Sequence, residues 1–291
     1  MNTGRKNYWL YILPTILLIG MFVYVPILQN FYYSLFKMNS YTDAKTFVGL
    51  GHYVRIFKDD IFYTSLKNNV LYAIISVICQ VGIGTILAIL LESKLTGRLR
   101  SFYRNVLFMP SLVSVTAIGL LWYFIYNPNV GMLNAVLTKI GLENLTHAWL
   151  AEPDIAIYSV IAMSQWQYTG YIMVLIIVAI QKIPTEMFEA AEIDGANGIQ
   201  KSLYVIIPNI KEMLMVTSVI TVIGAFKLFT EIYVMTMGGP YNSTQVLGTY
   251  LYQSAFMFDE MGYASAIAVI IFVITFGASI FQIRLGKSGK D

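Results

Sequence analysis

The chain has 291 residues, of which 57% are hydrophobic and 12% are charged, about half of the ~25% charge of an average soluble domain. This small polar share cannot cover the apolar residues in water, so the composition excludes a soluble globular domain and indicates a lipid environment. The net charge of +3 is too small to predict a nucleic-acid partner. The single cysteine, Cys79, excludes an intramolecular disulfide.

Six apolar stretches are long enough to cross a membrane, because a helix needs about 20 mostly apolar residues to span the hydrocarbon core. They predict an all-α integral membrane protein with six transmembrane helices in a single domain over residues 1–291. The first stretch is too long for a signal-peptide core and lacks a small-residue cleavage site after it, so we expect it to be retained, with kinks at Pro14 and Pro26. The stretches cover approximately residues 8–36, 70–91, 105–126, 155–181, 213–237 and 262–283.

The positions of lysine and arginine predict the orientation, because cytoplasmic loops carry an excess of both. With the amino terminus inside, 12 of the 19 basic residues fall on the cytoplasmic side, six fall outside, and Lys227 lies within a span. Five of the six outer ones precede the second span and run against the rule. The total still predicts a multi-pass protein with both termini in the cytoplasm.

The cytoplasmic loop over residues 182–212 carries a pattern of two helices joined at a glycine. Pro184 can open a helix over Thr185–Ile193, and Gly195 interrupts it. A second amphipathic segment follows, which we expect Pro208 to stop before the next span. Such a rigid knob fits a groove on another protein. Spacing alone favours equally a capped connection without a partner.

The residues of this loop resemble a known motif. Glu189-Ala190-Ala191, Asp194-Gly195-Ala196 and Pro208 resemble the EAA loop of permease subunits in binding-protein-dependent ABC importers. The resemblance implies a type I importer fold in which the loop forms a coupling helix. Glu189 would be the acidic contact to the cytoplasmic ATPase, and Gly195 would be the corner. The sequence departs from the usual pattern at Ser202, where a large aromatic residue is common.

A second resemblance narrows the class. Residues 226–240, ending in Gly238-Gly239-Pro240, resemble the fifth core span and outer loop of the maltose-type first permease subunit of carbohydrate importers. This resemblance implies a bacterial cytoplasmic membrane location and a carbohydrate substrate. It also implies three kinds of partner: a second permease subunit, two cytoplasmic ATPase subunits and an extracytoplasmic sugar-binding protein.

Ionisable groups inside a membrane usually face a cavity or a partner. Lys227 and Glu231 are four residues apart in the fifth stretch, so we expect them on one helix face, where they can neutralise each other. One interpretation is that they line the outer half of a substrate pathway. The other is that they form a structural ion pair between helices.

The fourth stretch contains a dense polar and aromatic segment, 164–171. Sugars present hydroxyls and flat C–H faces, so a sugar site needs hydrogen-bonding groups beside aromatic rings. Gln167 and Tyr171 are four apart, and Tyr168 lies alongside. The carbohydrate-permease resemblance implies sugar contacts near these three residues, Lys227 and Leu228. Helix packing by Ser, Thr and Gly is the alternative.

The sequence contains no phosphate-binding loop with Lys and Ser/Thr, so this chain is not itself the ATPase. We expect no enzymatic activity and no cofactor in this chain, with ATP bound by partner subunits. The function predicted is the permease subunit of an ATP-driven carbohydrate importer. The alternative is an ion-coupled secondary transporter with Glu231 or Lys227 as a proton relay, although we see no inverted repeats. The sequence leaves open whether the sugar is neutral or acidic.

Overall fold

A computed structural model describes residues 8–41, 44–93 and 97–287. The chain is mostly helical, with one short antiparallel strand pair, β1 (Phe36–Lys37) and β2 (Thr46–Phe47). The α-helices, α1 to α15 in chain order, are Tyr8–Ile19, Val25–Tyr33, Gly51–Ile56, Asp60–Ser76, Gly84–Glu92, Arg100–Phe108, Val115–Ile125, Met132–Lys139, Pro153–Ile180, Thr185–Ile193, Gly198–Lys201, Ile207–Phe226, Thr230–Met235, Leu247–Tyr252 and Met261–Lys287. Turns of π-helix cover Gly20–Tyr24, Val77–Ile83, Ser202–Ile206 and Gln253–Met257, and 3₁₀ turns cover Gly97–Leu99, Met109–Leu112 and Glu143–Leu145.

Long apolar helices confirm the predicted class of an all-α membrane protein. Within the described residues, five continuous helical stretches are long and apolar enough to cross a membrane: Tyr11–Tyr33, Asp60–Glu92, Pro153–Ile180, Gly198–Phe226 and Met261–Gln282. We call these the first, second, fourth, fifth and sixth spans.

The third span is broken, and the prediction of one continuous helix over 105–126 is wrong. The helical stretches Gly97–Leu112 and Val115–Ile125 meet at 96°. The break follows Pro110, which lies in a 3₁₀ turn and cannot continue the amide ladder of an α-helix. Val113 is then extended, with ψ of 142°, and Ser114 is also non-helical, with ψ of 133°.

The fifth span differs from its prediction at both ends. It begins at Gly198 and runs through Pro208 without stopping, so the expected stop at Pro208 is wrong. A π turn precedes the proline: the N–H of Ile207 bonds to the carbonyl five residues back, at Ser202. The wider turn makes room for the proline ring, which would strain a regular α-helical turn. The span ends at Phe226 rather than at residue 237.

The first span passes Pro26 by the same device. A π turn over Gly20–Tyr24 precedes the proline, and Val25 N–H bonds to the Gly20 carbonyl. Pro14 lies inside α1, which continues to Ile19. Residues 1–7, 94–96 and 288–291 lie outside the described part of the chain, and they carry several of the basic residues used for orientation. The cytoplasmic location of both termini therefore stays a prediction.

The chain divides into two compact units, Met1–Phe62 with Leu251–Val273, and Tyr63–Tyr250 with Ile274–Asp291; the single domain over 1–291 stays a prediction. In the first unit, Tyr263 donates to Asp59 Oδ2 at 2.8 Å and its ring lies 4.3 Å from the Arg55 guanidinium. In the second unit, one face of the fourth span forms the centre of the core. The buried core residues are Val81, Ala88, Leu91, Ile172, Met173, Ile176, Ile177, Ile180, Ile183, Ile206 and Ile210.

Candidate functional site

A cavity of about 390 Å³ lies within the second unit, between the second, fourth and fifth spans. Hydroxyl, amide and carboxylate groups reach it from helices that are otherwise apolar, so it suits a polar solute better than a lipid chain. Its lining residues are Tyr72, Ser76, Gln80, Ser111, Tyr168, Tyr171, Ile172, Ile220, Thr221, Gly224, Ala225, Leu228 and Glu231.

The second span contributes a polar face that the sequence analysis missed. Tyr72, Ser76 and Gln80 all line the cavity, and the Tyr72 hydroxyl is hydrogen-bonded to Ser164 of the fourth span. These residues recur every four positions, which puts them on one side of a helix. That spacing of polar residues within an apolar run was the signal available in the sequence.

The fourth span places two of its three predicted site residues at the cavity. Tyr168 and Tyr171 line it, and Tyr171 is 39% exposed. Gln167 does not line it: the side chain is 1% exposed, and its Nε2 donates to the Val113 carbonyl at 3.4 Å. Gln167 therefore packs against the broken third span.

The expected neutralising pair in the fifth span is wrong. The helix ends at Phe226, Lys227 caps it, and α13 begins only at Thr230, so the two charged residues do not share a helix face. Lys227 is exposed and is not among the cavity-lining residues, and within the described ranges it forms no salt bridge with Glu231.

Glu231 lies at the cavity wall. Its side chain is 8% exposed, and the Tyr168 hydroxyl donates to its Oε1 at 3.4 Å. The acidic group at the cavity is thus linked to an aromatic residue of the fourth span. In the described parts of the chain, no cluster of three or more His, Cys, Asp or Glu side chains could hold a metal ion.

The loop after the fourth span folds as a helix, a corner and a second helix. Thr185–Ile193 is helical with Pro184 at its N-cap and Asp194 at its C-cap. Gly195 has φ +75°, a conformation that costs other residues about 1–2 kcal/mol. The N–H groups of Gly195 and Ala196 bond to the carbonyls of Glu192 and Ala191, which is the Schellman pattern that closes a helix.

Two further contacts stiffen the corner. Asn197 and Gln200 form a reciprocal capping box at the start of α11, and Lys201 Nζ lies 2.8 Å from Glu192 Oε1 across the corner. Glu189, Ala190 and Pro208 are exposed, and Ile193 is 86% exposed. We call residues 182–206 the coupling segment, after the role that the EAA resemblance implies. Its middle has an accessible surface of mixed acidic and apolar character, while Ile183 and Ile206 near its ends are buried in the core.

A cavity with polar groups among membrane-spanning helices, on a chain that also carries an exposed helix-corner-helix loop, is typical of the membrane component of a transport system. The family model described as "Binding-protein-dependent transport system inner membrane component" matches residues 80–288, and the chain belongs to this family. Membership disfavours the ion-coupled alternative. The resemblance stated from the EAA loop is confirmed.

Relatives extend the match over the whole chain. The probable ABC transporter permease protein YurN of Bacillus subtilis is 49% identical and covers 100% of this chain and 99% of its own length. The diacetylchitobiose uptake system permease protein NgcF of Streptomyces coelicolor is 33% identical, with 93% and 80% covered. The arabinooligosaccharides transport system permease protein AraP of Halalkalibacterium halodurans is 34% identical, with 84% and 77% covered.

Solved structures share the fold. A chain of a bacterial ABC transporter described as importing the acidic polysaccharide alginate aligns with a TM-score of 0.86 at 21% identity, covering 99% of this chain and 98% of that one. A second crystal structure of an alginate transporter, in complex with a pentasaccharide-bound periplasmic protein, gives a TM-score of 0.83 at 22% identity, with 96% and 93% covered. The importer transmembrane fold is therefore confirmed.

Proposed function

We propose that the chain is the permease subunit of an ATP-driven carbohydrate importer, with an oligosaccharide as its substrate. The observation that carries this proposal is the cavity. Tyr168 and Tyr171 bring aromatic rings to it, while Ser76, Gln80 and Glu231 add hydroxyl, amide and carboxylate groups. Sugars are bound by rings beside such hydrogen-bonding groups. The names of NgcF and AraP, which specify oligosaccharide uptake, support the same substrate class.

The proposal includes the partners that complete the transporter complex. A second permease subunit closes the pathway, two ATPase subunits bind ATP at the cytoplasmic face, and an extracytoplasmic binding protein delivers the sugar. No cofactor belongs to this chain. Both termini and the coupling segment lie on the cytoplasmic side, and lipid surrounds the spans.

The connectivity explains how ATPase motion reaches the cavity. The coupling segment follows closely on the fourth span, which ends at Ile180, and its second helical part, from Gly198 onward, is the beginning of the fifth span. Both spans line the cavity. A displacement of this rigid segment by ATPases whose ATP affinity differs between two states therefore moves two cavity walls together. Glu189 is the exposed acidic contact in this step; Ala190, Asp194 and Gly195 lie near it in the coupling segment, and Pro208 follows in the fifth span.

Uptake by the reconstituted complex tests the proposal. We expect labelled oligosaccharide to accumulate in proteoliposomes only when ATP and the binding protein are present. Glu189→Ala should uncouple ATP hydrolysis from uptake, whereas Glu143→Ala, at an acidic residue outside the coupling segment, should not. Uptake that needs no ATP and is abolished by a proton ionophore would contradict the proposal and support ion coupling.

A further inference from the structure

Asn69 of α4 is fully buried, with 0% exposure, at the point where the fifth span is interrupted. Its carboxamide Nδ2 donates to the Ala225 carbonyl at 2.6 Å. Ala225 belongs to the last turn of α12, where the end of a helix leaves carbonyl groups without partners further along the chain. Asn69 therefore supplies a donor that the interrupted helix cannot supply itself.

The other end of the same carboxamide contacts a second helix terminus. Asn69 Oδ1 accepts a hydrogen bond from the N–H of Leu247 at 2.8 Å, and Leu247 is the first residue of α14. The first N–H groups of a helix also lack internal partners. One buried side chain thus bridges the end of one helix and the start of another, 22 residues apart in sequence.

Backbone packing at the interruption is equally tight. Gly248, the second residue of α14, lies against Leu228: a Cβ at this glycine would overlap the Leu228 carbonyl oxygen. The stretch that follows Ala225 is therefore held between the Asn69 side chain on one side and the α14 backbone on the other. Leu228 and Glu231, which line the cavity, lie in this stretch.

The helix that carries Asn69 also contributes to the cavity wall. Tyr72 lies three residues further along α4, on the same side of the helix, and it lines the cavity together with Leu228 and Glu231. The Asn69–Ala225 hydrogen bond therefore joins the helix that carries Tyr72 to the end of α12, just before the stretch that carries Leu228 and Glu231, while the Asn69–Leu247 bond joins it to α14.

We propose that Asn69 is a positioning residue of the transport pathway, which holds the interrupted fifth span so that Leu228 and Glu231 face the cavity. Only the transport consequence of this inference rests on the proposed function. The hydrogen-bonded geometry is testable in the purified full chain without any transport measurement.

Thiol labelling provides that test, because the single cysteine can be removed by Cys79→Ser. In this background, Leu228→Cys reports on a site that is normally buried. Adding Asn69→Leu removes both hydrogen bonds, and we expect the labelling rate at position 228 to rise on the order of tenfold, as the loss of buried hydrogen bonds favours local opening.

Asn68 gives a matched control on the adjacent position. It is buried as well, but its Nδ2 donates to the carbonyls of Ser243 and Gln245 at 2.8 Å each, and not to Ala225. Asn68→Leu should therefore leave labelling at position 228 slow. Equal rises for Asn68→Leu and Asn69→Leu, or no rise for Asn69→Leu, would overturn the inference.

A second variant and a functional measurement complete the experiment. Asn69→Ser keeps a small polar group, and we expect intermediate labelling; it replaces Asn69→Leu if that variant does not accumulate. In proteoliposomes, Asn69→Ser should lower the sugar transported per ATP hydrolysed while ATP hydrolysis persists. Loss of both activities in proportion would show a merely structural role. If Asn69→Leu speeds labelling at position 228 but the complex with native Asn69 transports no sugar, the positioning role stands and the proposed function is overturned.

Discussion

The coupling segment and the interruption of the fifth span are both departures from regular helix, and they are built in opposite ways. The hydrogen bonds and the ion pair at the corner of the coupling segment join residues at most nine positions apart, such as Lys201 with Glu192, and they lie at an exposed surface. The contacts at the interruption join Asn69 to Ala225 and Leu247, 156 and 178 residues away in sequence, and they are buried.

This difference matters for transport. A corner closed by its own local hydrogen bonds can keep its shape while its surroundings change, which suits the proposed contact with an ATPase. A wall held by distant residues changes shape only when the helices that carry those residues move. The corner of the coupling segment therefore keeps its shape, whereas the shape of the interrupted fifth span depends on how the spans are arranged.

Gly248→Val should have the largest effect on stability, because it places a side chain at the closest backbone contact of the interrupted fifth span. The new side chain would overlap the Leu228 carbonyl, and overpacking of a well-packed site costs typically about 1–3 kcal/mol or more. We expect a loss of several degrees in melting temperature in detergent and a lower yield of folded protein. Gly82→Ala is the control, since nothing beyond its chain neighbours and its own helix backbone lies within 4 Å of an added Cβ; equal melting temperatures for the two variants would contradict the tight contact.

Gly195→Ala changes the corner of the coupling segment and should affect coupling more than stability. The left-handed backbone at φ +75° strains an alanine by about 1–2 kcal/mol, which the exposed corner relieves by rearranging. We expect uptake per ATP to fall severalfold with little change in melting temperature. Gly198→Ala, at a glycine with ordinary backbone and open space, should leave both unchanged. A normal uptake-to-ATP ratio in Gly195→Ala would show that the corner does not transmit motion.

The same contrast explains what could be predicted from the sequence. The helix Thr185–Ile193 and the corner at Gly195 were predicted correctly, since caps and glycines act within a few residues of where they stand. The apolar runs likewise located the five continuous spans, because span length and hydropathy are local properties, but they missed the break in the third span and the ends of the fifth.

The interruption after Phe226 could not be predicted in this way. Residues 213–237 are apolar enough to read as one helix, and only the distant Asn69 and Gly248 reveal that α12 ends early. The pairing of Lys227 with Glu231 failed for this reason, since it assumed a continuous helix. The spacing of Tyr72, Ser76 and Gln80 could have predicted that they share one helix face. Only the packing of the other spans shows that this face lines the cavity and does not face lipid.

A third region, just before the fourth span, extends the comparison to pH. Changes in this region should have the smallest effect on the protein. Glu152 accepts a hydrogen bond from the N–H of Ala148 at 2.7 Å, and His147 Nδ1 lies 3.0 Å from its other oxygen. The Ala148 bond, followed by the His147 contacts, holds the pKa of Glu152 below its usual value of about 4.5. This is a local arrangement of half-buried residues.

The sign of the pH effect follows from that lowered pKa. A carboxylate with a lower pKa in the folded protein contributes stability that is complete above the unfolded pKa and is lost as the pH falls through the folded one. We expect a glutamate carboxyl NMR signal, assigned by its absence in Glu152→Gln, to titrate with a midpoint below 4.5. Protease sensitivity of residues 146–152 should rise over the same acid range in the native chain and should not depend on pH in Glu152→Gln. A midpoint at or above the usual value would show that the local contacts to Ala148 and His147 do not hold in solution.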